Sequence, residues 1–465
     1  MLRSGFSFLF LGAVLMAQTV DRTKPPETPP IPAFKMPPIR ESKLPNGLSV
    51  VMIEDQRFPL VSVRLSFQAG SKYDPKDLPG LSGMVAELST QGTKTRSYRD
   101  IAEQLAAIGA NLSGHASSDV LTLAGSTLAE NTPKLLDLLA DVALNANFPQ
   151  DEVQLRKQNR KQALLAQRSQ PAFLAHEKFD ELVYGDHPYR YFAPTMEALD
   201  RMDQKSMIDF RDAHLVPNNA VLILLGRLPA QEETLKLVRD RFAAWQQKSA
   251  PASPAKNFPA SKRQIVLVDR PGSVQADIRV GRLAATRTSP DYFPLLVGNA
   301  ILGGSASSRM FEDIREKKGF AYDAHSELDR RRDSGAAIAV TQVRNDVVEP
   351  AMEAVLGHLE AMGKSPVTAT ELTDAKNFMS GVFLISLETQ SSLADQVDTM
   401  KTMGLPDTYL ETFTTKVRST EPDQIQAAAK KYLAPDQTTI VVVGDASKIQ
   451  KSLEKFGTVQ VEKAK

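Results

Sequence analysis

The chain has 465 residues, of which 42% are apolar and 24% charged, a composition that is ordinary for globular proteins and excludes disordered, collagen-like and coiled-coil classes. Its 56 basic and 55 acidic residues give a formal net charge of +1, which argues against a protein built mainly to bind nucleic acid or an anionic membrane. The sequence contains no cysteine, so disulfides, thiolate metal sites, Fe–S clusters and cysteine nucleophiles are all excluded.

The N-terminal segment is typical of a secretory signal. Residues 1–17 contain Arg3 and then an apolar run from Phe6 to Met16, which is too short to span a bilayer and ends in small residues at Ala17. We expect cleavage near Ala17 and export to a bacterial periplasm, with no stable membrane insertion of the mature chain. The alternative is that the segment remains as a short anchor. Residues 18–39 are proline-dense and predict an extended spacer.

The body of the chain is an internal duplication. The stretch from Asp203 to Gly226 reappears as Asp423 to Gly444, each with a helical pattern that ends at Leu-x-Pro and an apolar run whose glycine lies nine positions after the proline. Paired strand patterns open both halves, at Leu48–Ile53 with Val61–Gln68, and at Gln264–Val268 with Gln275–Arg282.

The predicted fold class is therefore α+β, with two homologous domains that each form a mixed, largely antiparallel sheet with helices packed on one face. The predicted boundaries are 40–246 for the N-terminal domain, 247–259 for a linker rich in Ser, Pro, Ala and Lys, 260–458 for the C-terminal domain and 459–465 for a tail.

The first helix of the N-terminal domain is the most informative segment. Leu81, Met84, Val85 and Leu88 follow the spacing i, i+3, i+4, i+7 and predict one buried stripe. The same geometry predicts that Gly83, Ala86 and Glu87 share the opposite face.

Each half of the chain contains a series of short motifs whose order and spacing are specific. The N-terminal motifs are Gln68-Ala-Gly-Ser71, Gly80-Leu81, Gly92-Thr93, Ile108-Gly-Ala-Asn111, Ser117-Ser-Asp119, Asn147-Phe148-Pro149 and His187-Pro188-Tyr189. The C-terminal motifs are Ser289-Pro-Asp-Tyr292, Ile301-Leu-Gly-Gly304, Ser308-Arg309 and Arg315-Glu-Lys-Lys-Gly319-Phe-Ala-Tyr322. These motifs resemble the pitrilysin/insulinase-type metallopeptidases, which carry the inverzincin motif H-x-x-E-H on the helix that corresponds to the first one here. The resemblance covers nearly the whole chain after the spacer.

The zinc site that this resemblance implies is incomplete. In register with the family motif, the two histidines fall on Gly83 and Glu87 and the catalytic glutamate falls on Ala86. Catalytic zinc needs three protein ligands and a base for its bound water. The family's third ligand is a Glu on a later helix, yet residues 153–176 contain no Asp or Glu. None of the six histidines forms a pair with metal-ligand spacing, so we expect no metal in this chain.

The resemblance also implies a substrate-binding pair. In the family, an Arg and a Tyr in an R-x6-Y arrangement grip the substrate carbonyl, and Arg315 and Tyr322 match that pattern. A helix over 307–317, stopped by Gly319 as a left-handed cap, would let the chain reverse and bring the two side chains together. A guanidinium and a phenol are donors suited to an oxyanion. The alternative is a solvated helix arginine and a half-buried strand tyrosine.

Two neighbouring glycines complete the candidate site residues. Gly303 and Gly304 precede the predicted helix and are expected either to let the backbone approach a peptide or to clear a path to it. The alternative is a plain strand-to-helix turn.

The resulting hypothesis is a zinc-less subunit of a heterodimeric metallopeptidase, inactive alone. By resemblance to bacterial heterodimeric members and to mitochondrial processing peptidase, a zinc-bearing H-x-x-E-H homologue would be its partner and would hold the zinc, while this chain supplies Arg315 and Tyr322 to the peptide substrate. The alternatives are a structural subunit, like the family-related core subunits of the respiratory complex, and a peptide-binding homodimer.

Overall fold

The computed structural model describes residues 34–464 and contains two six-stranded mixed sheets of matching order. The first sheet has the order β1-β2-β6-β3-β5-β4 and the second has the order β12-β7-β11-β8-β10-β9. The strands of the first sheet are β1 (Ile39–Lys43), β2 (Ser49–Glu54), β3 (Leu60–Phe67), β4 (Asn111–Ala116), β5 (Leu121–Leu128) and β6 (Ala220–Gly226). The strands of the second are β7 (Gln264–Asp269), β8 (Gln275–Ala284), β9 (Ala321–Arg330), β10 (Gly335–Arg344), β11 (Thr439–Gly444) and β12 (Val459–Lys463).

The helices follow the same duplication. Those of the N-terminal half are α1 (Leu81–Leu88), α2 (Tyr98–Ala107), α3 (Thr132–Asn145), α4 (Gln150–Arg168), α5 (Pro171–Tyr184), α6 (Met196–Arg201), α7 (Gln204–His214) and α8 (Gln231–Phe242). Those of the C-terminal half are α9 (Tyr292–Leu302), a π-helix (Phe311–Lys317), α10 (Val348–Lys364), α11 (Ala369–Ile385), α12 (Gln390–Thr402), α13 (Tyr409–Arg418), α14 (Pro422–Tyr432) and α15 (Ala446–Glu454). No helix in residues 34–464 is long and apolar enough to cross a membrane.

The pairing of the strands confirms the α+β prediction. In each half the strand after the Leu-x-Pro motif, β6 or β11, lies in the middle of its sheet and runs parallel to the opening strand, β2 or β7. The same central strand runs antiparallel to the next one, β3 or β8. The repeat found in the sequence therefore corresponds to the centre of each sheet.

Each sheet is also covered by one helix from the other half, beyond the one-face packing that we expected. Leu174, Phe179 and Val183 of α5 share a buried cluster with Val266 and Val441 of the second sheet. In the same way, α12 packs across β3 and β6 of the first sheet, and its Leu393 and Val397 belong to one cluster with Ile223 of β6. This exchange joins the two halves within residues 34–464 into one compact unit.

Both ends of the predicted domains differ from the structure. Residues 459–463 are not a tail: Val459–Lys463 form β12, which runs parallel to β7 at the edge of the second sheet. At the other end, Met36, assigned to the spacer, is buried and its backbone N–H donates to Glu411. The predicted signal segment and spacer residues 18–33 lie outside the described residues.

Candidate functional site

The altered metal-site positions lie on a short, well-anchored helix. The Asp74 carboxylate accepts hydrogen bonds from the backbone N–H groups of Gly80 and Ser82, at 2.6 and 2.8 Å, and so caps the start of α1. The predicted apolar stripe of α1 is buried, as its spacing requires. α1 therefore has a fixed position beside the first sheet.

The three altered positions do not all share the outer face. Gly83 and Glu87 are half-buried, but Ala86 is fully buried, which the helical spacing alone did not predict. The reason is close packing on β4: a Cβ added to Gly114 would lie 2.1 Å from the backbone oxygen of Ala86. A Cβ on Gly83, by contrast, would meet nothing within 4 Å.

Glu87 is neutralised by arginines rather than by a metal. Its carboxylate forms an ion pair with Arg160 of α4, and Nη1 of Arg156 on the same helix lies 3.6 Å from its second oxygen. Guanidinium groups cannot ligate zinc and would repel it. Within residues 34–464 there is no group of three or more His, Cys, Asp or Glu side chains that could hold a metal ion. The residues at this site thus do not fit the family's zinc.

A cavity of about 450 Å³ opens at this altered site, and both halves line it. Gly83, Arg160 and His176 contribute from the N-terminal half, and Leu328 and Arg331 from β9 and the turn that follows it. His176 stacks on Phe192 at 3.8 Å between ring centroids, and burial lowers the pKa of its imidazole to about 3. The imidazole is therefore neutral at physiological pH.

The structure brings Arg315 and Tyr322 into contact. Gly319 has φ +63° and ends the helix in the left-handed conformation, as predicted, and β9 begins two residues later. The Cζ atom of Arg315 lies 5.1 Å from the ring centroid of Tyr322 and 4.5 Å from that of Phe311. Tyr322 is 86% exposed, so it is not the half-buried strand residue of the alternative.

The helix that carries Arg315 differs from the predicted one. Ser307 and Ser308 lie in a turn, and the segment Phe311–Lys317 is a π-helix rather than an α-helix. π-helical turns are rare and occur frequently at functional sites. Asp313 in this segment accepts from Lys318 at 2.7 Å and pairs with His358 at 2.9 Å, which fastens the π-helix to α10.

Gly303 and Gly304 follow the helix α9, so their turn joins two helices rather than a strand and a helix. A Cβ on Gly303 would lie 2.3 Å from the backbone nitrogen of Ser326, which donates to the Gly303 oxygen. A Cβ on Gly304 would lie 3.0 Å from the Cα of Ala300. Packing within the chain accounts for both glycines, and their contact with a peptide stays a prediction.

Sequence reasoning missed a buried ionic cluster between the halves. The Nζ atom of Lys72 lies 2.9 Å from Asp119 and 2.7 Å from Asp333, and all three side chains are almost fully buried. The Tyr189 hydroxyl donates to Asp119 at 2.5 Å, and Arg331 pairs with Asp180 at 2.6 Å. Asp119 and Tyr189 belong to motifs that carried the family resemblance, which was the only available signal.

The fold and the site together define a duplicated α+β chain with an altered metal site and an Arg–Tyr pair whose tyrosine is exposed. The insulinase (peptidase family M16) sequence family matches residues 49–191, and the family described as the peptidase M16 inactive domain matches residues 201–379. The chain belongs to the M16 peptidase family.

Similar proteins agree with this assignment. An uncharacterized zinc protease of Bacillus subtilis is 25% identical over 75% of this chain and 84% of its own length, and one of Mycobacterium tuberculosis is 26% identical over 79% and 84%. A crystal structure of a peptidase M16 inactive domain from Pseudomonas fluorescens superposes with a TM-score of 0.82 at 25% identity, covering 88% of this chain and 98% of that one. A protease from Helicobacter pylori has the same fold, with a TM-score of 0.81 at 20% identity and coverage of 88% and 100%.

These matches fit a chain that is inactive alone. The inactive-domain match begins at residue 201 and does not include α1 or α4. The residues of these two helices are therefore what shows that the altered site does not fit zinc.

Proposed function

We propose that the chain is the zinc-less subunit of a heterodimeric metallopeptidase and that it supplies Arg315 and Tyr322 to a peptide held against a zinc-bearing partner. The observation that carries the proposal is the pairing of an exposed Tyr322 with Arg315 in a chain whose own α1 has no metal site. Both groups donate hydrogen bonds, and both would act on a peptide carbonyl as it becomes an oxyanion.

The position of the pair on the sheet supports a peptide substrate. Tyr322 lies near the start of β9, which is the edge strand of the second sheet. An edge strand leaves backbone N–H and C=O groups unpaired, and an extended peptide adds to such an edge with little demand on its sequence. Relatives named zinc proteases support the view that the partner's chemistry is zinc-dependent hydrolysis. The apolar N-terminal segment supports a periplasmic location for the proposed complex.

The first test is isolation of the native complex. We expect a pull-down of this chain to co-elute an M16 homologue that carries H-x-x-E-H, with zinc in the complex and not in the isolated chain. If the chain elutes as a homodimer without such a homologue, or if it alone cleaves peptides in a chelator-sensitive manner, the proposal is wrong.

The second test addresses the Arg–Tyr pair in the reconstituted complex. We expect Arg315→Ala and Tyr322→Phe each to lower turnover about 10²-fold, the usual cost of losing one oxyanion donor, with assembly unchanged. The matched controls are Arg99→Ala and Tyr98→Phe, because both side chains are exposed on α2. If the subunit is purely structural, all four variants should instead keep full turnover.

A further inference from the structure

The cavity at the altered metal site has the size and shape of a ligand pocket. Its volume of about 450 Å³ falls within the range of about 300–1,000 Å³ found for small-molecule and cofactor pockets. Gly83 is one of the residues that line it, and a Cβ added to Gly83 would meet no atom within 4 Å outside its own helix backbone and chain neighbours. A pocket of this kind does not depend on the presence of a partner subunit.

One end of the cavity carries more positive than negative charge. Arg160 lines the cavity, and its guanidinium group shares a single carboxylate, that of Glu87, with the guanidinium of Arg156. Each guanidinium has five N–H donors in a planar fork, so Glu87 leaves most of them uncommitted. A second carboxylate would balance the second guanidinium charge. Its two oxygens could accept two parallel hydrogen bonds from one guanidinium group.

The acidic groups on the other side of the cavity are already paired. Asp329 accepts a hydrogen bond from the Tyr184 hydroxyl at 2.8 Å and shares Arg331 with Asp180, each at 2.6 Å. Glu327 forms an ion pair with Arg279 at 3.0 Å. They therefore oppose an incoming carboxylate much less than free acids would.

The wall of the cavity is aromatic. Phe192 and Tyr191 are each more than one-third exposed at its border, and Phe192 is stacked on the neutral imidazole of His176. Ser82, which also lines the cavity, has a buried hydroxyl without a hydrogen-bond partner in the described part of the chain. A buried polar group of this kind is costly unless a ligand or water satisfies it.

We propose that this cavity binds the C-terminal end of a short peptide, with the terminal carboxylate on Arg160 and an apolar last side chain against Phe192. This inference goes beyond the proposed catalytic partnership, because the isolated chain would bind the peptide without cutting it. Free C-terminal carboxylates are what a peptidase complex produces, so the site suits a product or the far end of a substrate.

The test uses the purified chain alone and calorimetric titration with defined peptides. The probe is an N-acetylated Ala-Ala-Phe tripeptide with a free carboxylate, compared with its C-terminal amide and with an amidated N-acetyl-Ala-Glu-Phe that carries only a side-chain carboxylate. We expect the free acid to bind at least about 10-fold more tightly than either amide, a difference of about 1.4 kcal/mol. Equal binding of the three peptides, or no binding of the free acid, would overturn the proposal.

Two substitutions at residue 83 test whether the peptide binds in this cavity. Gly83→Leu places a side chain in the open space and should abolish binding, whereas Gly83→Ala adds one methyl group and should retain it. Both variants replace glycine by a better helix former in α1, so each should fold. Unchanged affinity in the leucine variant would show that the peptide binds elsewhere. The partner pull-down is independent of these titrations, so either proposal can fail without the other.

Discussion

At the scale of single residues, two glycines of the site differ in how much room a side chain would have. A Cβ on Gly83 of α1 would meet no atom within 4 Å, whereas a Cβ on Gly303 would lie 2.3 Å from the backbone nitrogen of Ser326. A side chain at residue 83 would stabilise α1, whereas residue 303 has no room for a side chain.

We therefore expect Gly83→Ala to raise the free energy of unfolding by about 0.5–1 kcal/mol, because alanine is the better helix former. Gly303→Ala should lower it by about 1–3 kcal/mol, because the packing of α9 against β9 must open. Urea denaturation of the two variants beside the unmodified chain measures both effects. A loss of stability at Gly83 would mean that the space beside α1 is filled.

Burial also sets how one histidine responds to pH. His214 ends α7 and stacks on Phe210 at 4.3 Å between ring centroids, and its burial lowers the pKa of the imidazole from 6.5 to about 4. The folded chain therefore binds this proton less readily than the unfolded chain does. The stability that the neutral ring contributes is present above about pH 6.5 and is lost as the pH falls towards 4.

We expect His214→Phe to reduce the loss of stability between pH 7 and pH 4 by about 2 kcal/mol, after allowance for solvent screening. His176 and His187 shift in the same direction, so the pH dependence should weaken without disappearing. Melting temperatures measured across this pH range give the result. An unchanged slope in the variant would show that His214 is protonated in the folded chain.

At the scale of elements, the residues of two helices, α1 and α4, do not fit a zinc site. Replacing Gly83 and Glu87 by histidines would supply two ligands, but α4 would still present Arg160 beside them and has no Asp or Glu after its first turn. The positive charge of that guanidinium opposes the metal, and the third ligand is absent.

We expect the Gly83→His/Glu87→His variant to bind zinc weakly, and the same variant with Arg160→Glu to bind it at least about 100-fold more tightly. The control replaces Arg160 by Gln, which removes the charge without adding an acidic ligand and should give an intermediate affinity. Competition with a chromogenic chelator measures all three. Equal affinities would show that Arg160 is not the obstacle.

The elements themselves were largely predictable where local apolar spacing determines them. The stripe on α1, the opening strands of each half and the chain reversal at Gly319 are each determined by residues close together in the sequence, and the structure confirms them. The exchange of α5 and α12 was not predictable, because an apolar helical face does not specify which sheet it covers. The contact of Ala86 with β4 and the π-helix before Gly319 also depend on residues distant in the sequence.

At the scale of the whole molecule, the exchanged helices and the Lys72 cluster join the halves into one unit. Lys72 and Asp119 belong to the N-terminal half, and Asp333 lies in the turn between β9 and β10 of the C-terminal half. Lys256 of the predicted linker also pairs with Asp333, at 3.1 Å, so the linker takes part in the same junction. We infer that the two halves unfold together rather than one after the other.

Removing the buried ammonium tests this inference. Lys72→Met leaves the buried Asp119 without its cation and leaves Asp333 with only the exposed Lys256, which should lower the free energy of unfolding by about 3–5 kcal/mol. A variant that also carries Asp119→Asn and Asp333→Asn should recover part of that loss, since no buried charge is then left uncompensated. Lys205→Met removes only an exposed lysine paired within α7 and should leave the melting temperature unchanged.

The two halves can be followed separately during these measurements. The single tryptophan, Trp245, belongs to the apolar core of the N-terminal half, whereas far-UV circular dichroism reports helices of both halves. Because α5 and α12 each lose their sheet when the other half unfolds, both signals should change at the same urea concentration in the unmodified chain. In Lys72→Met the midpoint should fall while the two signals still coincide, since the helix exchange remains. Two separate transitions in the unmodified chain would mean that the halves fold independently despite the shared core.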